Sequence, residues 1–389
     1  MKTRTHKGQR EGRKTPVRLK DVAAEAGTSI AAVSMVLNQP GNADQIGTAC
    51  SQRIRTAAER LGYVPNYHAQ IMRGRRTGVI GIAMEFRPGF ENHLAISYFG
   101  TLVGAVDESL RQAGRSLMIV NGMEGRTAAG QGVLALRRKQ IDGLIIVGVT
   151  SRMCQDPVLL DPPSGLPIVV LEYNGATSLP VIRFDQRVGV CQIVEHLAAL
   201  GHRDLLWVAT EPARLPGGTM VSREQLFMDC VSKSGLRAEV CWSSGQQPEA
   251  DGTPTPTERT ADAVRAALRE RLSGLRFPPP FTAVACYNDV AAMGAYAVFA
   301  ERGLRIPADV SVTGFDDIQS RLLTPKLTSV SHMLDEMGAR TVELLLKMVE
   351  NPAHCNEMAG YREDFAARLV VRASTAPVAS KLTGVVQRD

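Results

Sequence analysis

From Thr77 to near the C-terminus, short apolar runs alternate with longer amphipathic stretches. The runs have the length of buried strands, and the stretches between them have helical periodicity. This alternation predicts parallel strands joined by helical crossovers, and hence doubly wound α/β domains. A length of about 300 residues favours two lobes over one core. The predicted strands are Val79–Met84, Leu117–Val120, Gly143–Val147, Ile168–Leu171, Leu205–Ala209, Thr282–Cys286 and Val310–Thr313, and the predicted helices lie near 98–113, 126–139, 186–200, 222–234, 257–273 and 289–302.

The residues before this region have a different pattern, with three short helical segments. Apolar residues at positions 19, 22, 23 and 26 predict a first helix that ends at Gly27. Thr28 and Ser29 can cap a second helix, Ile30–Asn38, and a third is predicted at about Gln45–Leu61. Two short helices joined by a turn that contains glycine form a helix-turn-helix, whose second helix fits the major groove of DNA.

The basic residues are concentrated at the N-terminal end. Residues 1–76 contain 14 Lys and Arg against 5 Asp and Glu, whereas the rest of the chain carries 31 against 34. A basic head on a near-neutral body is typical of nucleic-acid-binding proteins, because contacts with phosphates supply most of the non-specific affinity. Residues 1–16, taken alone, are more simply explained as a solvated, disordered tail.

The composition also excludes other classes of protein. Apolar runs such as Gly143–Val149 are much shorter than a membrane span, and no apolar stretch follows the basic N-terminus as it would in a secretory signal. We therefore expect a cytoplasmic protein with no membrane partner. The seven cysteines are scattered and form no CxxC pair, which predicts free, mostly buried thiols and no disulfide framework or zinc finger.

The sequence contains no recognisable catalytic motif. Gly130-Gln-Gly132 imitates part of a dinucleotide fingerprint, but it lies inside a predicted helix and not at a strand-to-helix turn. A P-loop, a nucleophile elbow and an HExxH motif are all missing. His196 and His202 are six residues apart, which does not place two imidazoles on one helix face, so we interpret them as structural. The sequence thus argues against an enzyme, including an NAD-dependent one, and implies no metal or cofactor.

Ordered motifs extend from about residue 18 to residue 377. The head contains Leu19-Lys-Asp-Val-Ala-Ala-Glu-Ala-Gly-Thr-Ser, Ala32-Val-Ser-Met-Val-Leu-Asn and Leu61-Gly-Tyr-Val-Pro-Asn. The core contains Ile141-Asp-Gly-Leu-Ile-Ile, Glu195-His-Leu-Ala-Ala-Leu-Gly-His-Arg, Asn288-Asp, Gly303-Leu-Arg-Ile-Pro-Ala-Asp-Val-Ser-Val-Thr-Gly-Phe-Asp-Asp and Leu369-Val-Val-Arg-Ala-Ser-Thr. Together these motifs resemble the LacI/GalR family of transcription regulators.

The resemblance implies a repressor that binds double-stranded operator DNA as a homodimer or a dimer of dimers. It also implies a two-lobed, periplasmic-binding-protein-like core that closes on a small-molecule effector. The alternative is a sugar-binding protein without DNA function, although the basic helical head argues against it. The expected segments are a basic disordered tail (1–17), a helix-turn-helix domain (18–64), a hinge helix and linker (65–76), a two-lobed effector-binding and dimerisation core (77–377) and a C-terminal tail (378–389).

The resemblance further implies which residues of the head contact DNA. Phosphate contacts are expected from Lys20, Thr28, Ser29, Ser34 and Asn38. Tyr63 and Asn66, in the family motif that ends the head, are also expected to bind DNA. The groove-facing positions are Ile30, Ala31, Ala32 and Met35, and Met35 stands where many relatives have Arg or His. None of these four side chains can form a bidentate hydrogen bond to a base. We therefore predict weak direct readout by this helix, with discrimination owed more to the hinge and to DNA shape.

The segment Pro65–Arg76 resembles the hinge helix of the family. A helix this short is not stable alone, so we expect it to form when it pairs with its two-fold mate on DNA. Met72 occupies the position of the leucine that relatives wedge into a minor-groove step, and Ala69 is small enough to let two hinges approach. Arg73 and the two arginines after it either follow the flanking phosphates or form a basic linker that keeps the chain soluble.

By the same resemblance, the effector cleft lies between the lobes, at the carboxyl ends of the strands. The family positions carry over to Ser97, Tyr98, Glu172, Arg223, Asn288 and Asp316. Arg223 is the expected anchor, because a guanidinium can hold a carboxylate or two neighbouring hydroxyls with paired hydrogen bonds. The effector remains open among sugars, sugar acids and nucleobase-like compounds. Asp185 and Asp317 are interpreted as residues that form turn hydrogen bonds.

Overall fold

In a computed structural model, the chain divides into two compact units, Met1–Thr77 and Gly78–Asp389. The structure describes residues 17–38, 46–64, 76–84, 86–87, 91–92, 97–123, 125–147, 155–210, 223–243, 256–275 and 278–378.

The first unit contains three helices packed around a small apolar core. Their bounds are α1 Leu19–Ala26, α2 Ile30–Asn38 and α3 Thr48–Leu61. Val22, Val33 and Ile54, one from each helix, are fully buried and belong to one cluster. Helix α1 ends at Gly27, whose φ of 58° is a left-handed conformation that glycine adopts without strain. Helix α3 begins slightly later than predicted, at Thr48, because Gly47 has a non-helical backbone conformation and takes the N-cap position.

The first lobe of the second unit is built on a six-stranded parallel sheet. Its strands in spatial order are β13 (Arg362–Ala366), β7 (Val181–Asp185), β6 (Ile168–Leu171), β5 (Gly143–Val147), β1 (Val79–Ala83) and β4 (Ser116–Val120). Strands β5 and β6 are apolar on both faces and entirely buried, as in sheets covered by helices on both sides. The first part of the second unit also contains α4 (Ser97–Gln112), α5 (Ala128–Arg137), α6 (Pro157–Leu160) and an antiparallel pair, β2 (Phe86–Arg87) and β3 (Glu91–Asn92).

The second lobe is built on another six-stranded sheet. Its strands in spatial order are β14 (Arg368–Val370), β12 (Thr328–Ser331), β11 (Ser311–Asp316), β10 (Ala283–Cys286), β8 (Asp204–Thr210) and β9 (Arg237–Ser243). All pairs are parallel except β14 with β12. The remaining helices are α7 (Gln186–Ala199), α8 (Arg223–Lys233), α9 (Pro256–Leu272), α10 (Asp289–Glu301), α11 (Leu334–Glu350) and α12 (Ala353–Glu357).

The chain passes between the two sheets three times. It leaves the first sheet after β7, returns through α11 to β13, and enters the second sheet again at β14. Helix α11 packs closely on α4, since a Cβ added at Gly338 would lie 2.9 Å from the Cβ of Ala105. The two lobes therefore share several crossing segments, and these bring strand ends from both sheets to one region.

The cysteines correct one prediction. The expectation of free thiols is wrong for Cys191 on α7 and Cys230 on α8, which form a disulfide across two packed helices. They are 39 residues apart in sequence, so no local spacing indicated the pair. Cys154 lies outside the described residues, and the remaining cysteines are free: Cys50, Cys241, Cys286 and Cys355.

The two histidines singled out in the sequence have structural roles, as predicted. His202 is buried, with Nδ1 2.8 Å from Thr282 Oγ1 and Nε2 3.0 Å from Ser311 Oγ. His196 Nε2 lies 2.9 Å from Thr375 Oγ1. Within the described ranges, no group of three His, Cys, Asp or Glu residues could hold a metal ion. The same ranges contain no helix that is long and apolar enough to cross a membrane.

Candidate functional site

One face of α2 is the candidate DNA-binding surface. Ser29, Ile30 and Ala31 are exposed where the helix begins, and Ile30 keeps 52 % of its accessible surface. Val33 and Val36 are buried on the opposite face. The border of the exposed face is formed by half-buried residues: Ala32, Ser34 and Met35. The apolar residues at the start of α2 are therefore available to contact a groove.

The start of α2 is fixed by a side-chain cap. Ser29 Oγ accepts a hydrogen bond from the backbone N–H of Ala32 at 3.1 Å. Thr28 is half-buried, and its Oγ1 lies 3.9 Å from the sulfur of Cys50. The first N–H groups of a helix favour anions such as phosphate, so this cap and a phosphate contact are compatible. Lys20 is exposed on α1.

Part of the predicted DNA surface cannot be placed. Tyr63 follows α3 and packs against the core of the first unit. The side chain of Asn38 and the hinge positions lie outside the described residues, and their contacts with DNA stay predictions; the hinge positions are Asn66, Ala69, Met72 and Arg73.

Arg223, the first residue of α8, joins several parts of the second unit. Its Nε donates to Gln186 Oε1 at 3.0 Å, and its Nη1 donates to the carbonyl of Tyr287 at 2.7 Å. The same nitrogen lies 3.4 Å from Asp316 Oδ1. The guanidinium carbon lies 4.1 Å from the centre of the Phe315 ring. Only 21 % of the side chain is exposed, so these hydrogen bonds lie in a largely desolvated environment.

The side chains around Arg223, which we call the Arg223 cluster, are those of Tyr98, Glu172, Asp316 and His332. His332 was not among the residues expected from the sequence. It is fully buried, and its Nε2 lies 2.9 Å from Asp316 Oδ1. Its ring lies edge-on to Phe184 of β7 at 3.8 Å and to Phe315 of β11 at 5.1 Å between ring centres. Side chains from both sheets therefore meet here, which places the cluster between the lobes. Burial lowers the pKa of His332, and its Nδ1 has no hydrogen-bond partner within the described part of the chain.

Glu172 and Tyr98 form the side of the cluster that belongs to the first lobe. Glu172 follows β6 with a φ of 63°, a strained conformation for a residue other than glycine. Its Oε1 accepts from the backbone N–H of Phe184 at 3.2 Å. Burial raises the pKa of Glu172 to about 8, and burial together with Glu172 holds the pKa of Tyr98 well above its usual value. Near neutral pH, Glu172 is therefore mostly protonated and can donate a hydrogen bond to a ligand.

The raised pKa of Glu172 predicts a pH-dependent stability. The protonated carboxyl contributes fully to folding below its ordinary pKa of 4.5, and this contribution is lost as the pH rises to about 8. Between pH 5 and pH 8 we expect the melting temperature of Glu172→Gln to fall about 5 °C less than that of the wild type. Differential scanning fluorimetry of both proteins over this range measures the difference. Parallel curves would show that Glu172 does not titrate there.

Two of the predicted residues make helix-start contacts. Asn288 Oδ1 accepts from the backbone N–H of Ala291 at 2.8 Å and so caps α10. Ser97 begins α4, and its carbonyl accepts from the Thr101 hydroxyl at 2.8 Å. The hydrogen bond from Arg223 is accepted by the carbonyl of Tyr287, the residue before Asn288. The structure thus brings together Tyr98, Glu172, Arg223 and Asp316 and gives Ser97 and Asn288 other contacts.

The two aspartates interpreted as turn residues have that role. Asp185 Oδ1 accepts from the backbone N–H of Arg187 and caps α7. Asp317 accepts from Ser320 Oγ at 2.5 Å and forms an ion pair with Arg372 at 2.6 Å.

A cavity of about 280 Å³ adjoins the Arg223 cluster at Gln186. It contains the ion pair between Arg183 and Asp364, and Arg183 also donates to Asn174 Oδ1 at 2.9 Å. Its lining comes from both lobes and consists of Asn174, Arg183, Phe184, Asp185, Gln186, Arg187, Leu226 and Asp364. The cleft therefore continues from the buried cluster into a polar pocket.

Comparison with protein-family models identifies both parts of the chain. Residues 18–66 match bacterial regulatory proteins of the lacI family, and residues 194–375 match a periplasmic binding protein-like domain. The transcriptional regulator GalR of Escherichia coli K12 is 28 % identical over 336 residues, which cover 86 % of this chain and 89 % of GalR. The transcriptional repressor PurR of Pasteurella multocida is 27 % identical over 334 residues, which cover 85 % of this chain and 91 % of PurR. These relatives are transcriptional regulators and not enzymes.

Solved structures give the same result. The lac repressor dimer bound to operator and an anti-inducer aligns with a TM-score of 0.68 and 25 % identity, covering 93 % of this chain and 100 % of that one. A complex of the regulator CelR with cellobiose aligns with a TM-score of 0.57 at 24 % identity, covering 92 % of this chain and 99 % of that one, and shows the common fold. The chain belongs to the LacI/GalR family of DNA-binding transcriptional regulators.

Proposed function

We propose that the protein represses transcription as a homodimer and that a small-molecule effector bound beside Arg223 sets its affinity for a pseudo-palindromic operator. The observation that carries this proposal is the buried Arg223 cluster between the lobes. Gln186 begins the helix that follows β7 of the first sheet, whereas Tyr287 directly follows β10 and Asp316 ends β11 of the second sheet. A ligand that binds these groups more tightly in one lobe arrangement shifts the population towards that arrangement.

In the proposed function, the exposed face of α2 and the hinge bind the operator DNA. In this division, residues 18–64 form the head, 65–76 the hinge and 77–377 the core, with tails at 1–17 and 378–389. Two heads related by a two-fold axis read two half-sites, so a single half-site binds weakly. Such a regulator acts on chromosomal DNA and therefore works in the cytoplasm.

The charge balance of the cluster supports a class of effector. Arg223 and Asp316 offset each other, and Glu172 is mostly protonated near neutral pH. The buried groups thus carry little net charge while they offer both hydrogen-bond donors and acceptors. This combination suits the hydroxyls of a sugar better than the charge of a sugar acid, and nucleobase-like compounds provide the third class to test.

Fluorescence anisotropy with labelled DNA tests the proposed function. The full-length protein should bind duplexes with an affinity that falls steeply as the salt concentration rises, because bound phosphates release counterions. Lys20→Ala should flatten the plot of log affinity against log salt by about one unit for each head. A protein that binds sugar but leaves duplex DNA unbound at low salt would support the alternative, a sugar-binding protein without DNA function.

Met35 provides a separate test of how bases are read. Met35→Ala should change the ratio of specific to non-specific affinity by less than about threefold, because methionine offers no bidentate hydrogen bond to a base. Ser29→Ala should instead weaken binding to all duplexes by a similar factor, through loss of a cap and a phosphate contact. Duplexes selected from a random pseudo-palindromic pool serve as probes for both variants. A large loss of discrimination in Met35→Ala would mean that α2 reads bases directly.

A further inference from the structure

The disulfide between α7 and α8 joins the helix that carries Arg223, the proposed effector anchor, to the helix that carries its hydrogen-bond partner Gln186. Cys191 lies in α7, Cys230 lies in α8, and their Cα atoms are 5.5 Å apart. This separation is typical of disulfides, so the bond forms without movement of the backbone.

The two cysteine residues differ in their exposure to solvent. Cys191 is half-buried at the surface of the core, whereas Cys230 is only 4 % exposed and lies in the same apolar cluster as Phe227 and Val231. A small oxidant can therefore reach Cys191 first, and Cys230 is positioned to resolve the oxidised product. This asymmetry is typical of redox-sensitive thiol pairs.

The same two helices are also connected at their N-termini. Gln186 is the first residue of α7 and Arg223 is the first residue of α8, and their side chains are hydrogen-bonded at 3.0 Å. Cys191 is five residues beyond Gln186, and Cys230 is seven beyond Arg223, which corresponds to about 8 and 10 Å along the helix axes. A covalent bond at that distance limits how far α8 can slide or rotate against α7.

We propose that Cys191 and Cys230 are a redox-sensitive thiol pair, and that their oxidation by a peroxide locks α8 against α7 and holds Arg223 in place. In the cytoplasm thiols are kept reduced, and the disulfides that do form there are usually transient and regulatory. The reduced pair then leaves α8 free to adjust when the lobes move, and the oxidised pair does not.

The reaction balances with one peroxide for each pair. The Cys191 thiolate attacks a peroxide oxygen, so an S–O bond forms, the O–O bond breaks, and the released hydroxide is protonated to water. The Cys230 sulfur then displaces the sulfenic hydroxyl, which leaves as a second water with the Cys230 proton. Two electrons pass from the sulfurs to the peroxide, and a cellular dithiol reverses the step.

Thiol mapping tests the chemistry with hydrogen peroxide as the probe. The full-length protein is equilibrated with excess reduced glutathione, divided, treated or not with peroxide, alkylated under denaturing conditions and digested. We expect all seven cysteines to be alkylated in the reduced sample and a Cys191–Cys230 linked peptide after peroxide. Cys355→Ala, which removes a buried free thiol, should behave like the wild type. A linked peptide that persists in reduced glutathione, or one that never forms, would overturn the proposal.

Hydrogen–deuterium exchange tests the locking of α8. Oxidation should slow exchange of the α8 amides at least threefold and raise the melting temperature by about 5 °C, because the closed loop restricts the unfolded chain. Cys191→Ala and Cys230→Ala should each remove both effects, and reduced wild type serves as the reference should either variant fold poorly. Unchanged exchange in an oxidised, linked sample would overturn the lock.

The consequence for Arg223 rests on the proposed function, but both experiments are carried out without operator or effector. Failure of the thiol chemistry would leave the proposed function standing. Failure of effector binding would leave the redox pair standing.

Discussion

Replacing Arg223 by alanine should weaken effector binding about 100-fold or more and abolish the effector response, while duplex binding persists. The guanidinium contacts Gln186, Tyr287 and Asp316 at once and is mostly buried, so its loss removes charge-assisted hydrogen bonds from a desolvated site. A factor of 100 corresponds to about 2.7 kcal/mol. The DNA-binding surface lies in the other unit, so its affinity for duplexes should stay within about twofold.

The measurement uses a thermal-shift panel of sugars, sugar acids and nucleobases. The compound that stabilises the wild type is titrated against each variant by calorimetry, since a ligand at 100 times its dissociation constant stabilises by about 2.7 kcal/mol. Arg223→Lys should recover only part of the affinity, because an ammonium lacks the planar fork. Arg237→Ala, at an exposed arginine paired with Asp204, is the matched control and should bind normally. Full affinity in Arg223→Ala would show that the effector binds elsewhere.

The strands that were predictable from the sequence are mainly apolar runs; most are buried on both faces, and Ser116–Val120 is an apolar strand at a sheet edge. Gly143–Val147 and Ile168–Leu171 are continuous apolar runs and are recognisable without tertiary information. Arg362–Ala366 is a polar edge strand whose residues alternate between exposed and half-buried, and Arg237–Ser243 is another edge strand with exposed polar positions. Such strands are stabilised by pairing with a neighbouring strand, and their own sequence contains no apolar run that would predict them. The helix Leu334–Glu350 was not predicted although it is amphipathic, because β12, the strand directly before it, is short and polar and was not recognised.

The candidate site follows the same logic. Glu172 directly follows β6 and Asp316 ends β11, and both strands were predicted from their apolar residues. The strand ends predicted from the sequence therefore lie at or near the site positions that the family resemblance implies. His332 follows β12, a short strand with polar residues at three of its four positions, and was missed with that strand. Gln186 was missed because its role depends on the approach of α8, which only the tertiary structure reveals. The disulfide was missed for the same reason, since it depends on two helices that pack together.

Replacing Asp289 by alanine should cost about 3 to 5 kcal/mol of folding stability, the largest loss we expect from a single polar substitution in the core. Asp289 is fully buried at the start of α10. Its Oδ2 accepts from the backbone N–H groups of Ile318, Gln319 and Ser320 at 2.8 to 3.2 Å, and its Oδ1 accepts from the Ser329 hydroxyl. Alanine leaves several buried donors without partners, and each costs about 1 to 3 kcal/mol.

The geometry also predicts how conservative replacements of Asp289 behave. Asparagine can keep its oxygen towards the three N–H groups and turn its amide to the Ser329 hydroxyl, so Asp289→Asn should lose about half as much stability as alanine. Asp309→Ala removes an exposed carboxylate paired with Arg305 and is the matched control. Urea denaturation at pH 7 measures all three variants. Residues 318–320 lie just after Asp316, which contacts Arg223, so Asp289→Ala should also weaken effector binding. A stable variant with normal effector binding would mean that other contacts hold this loop.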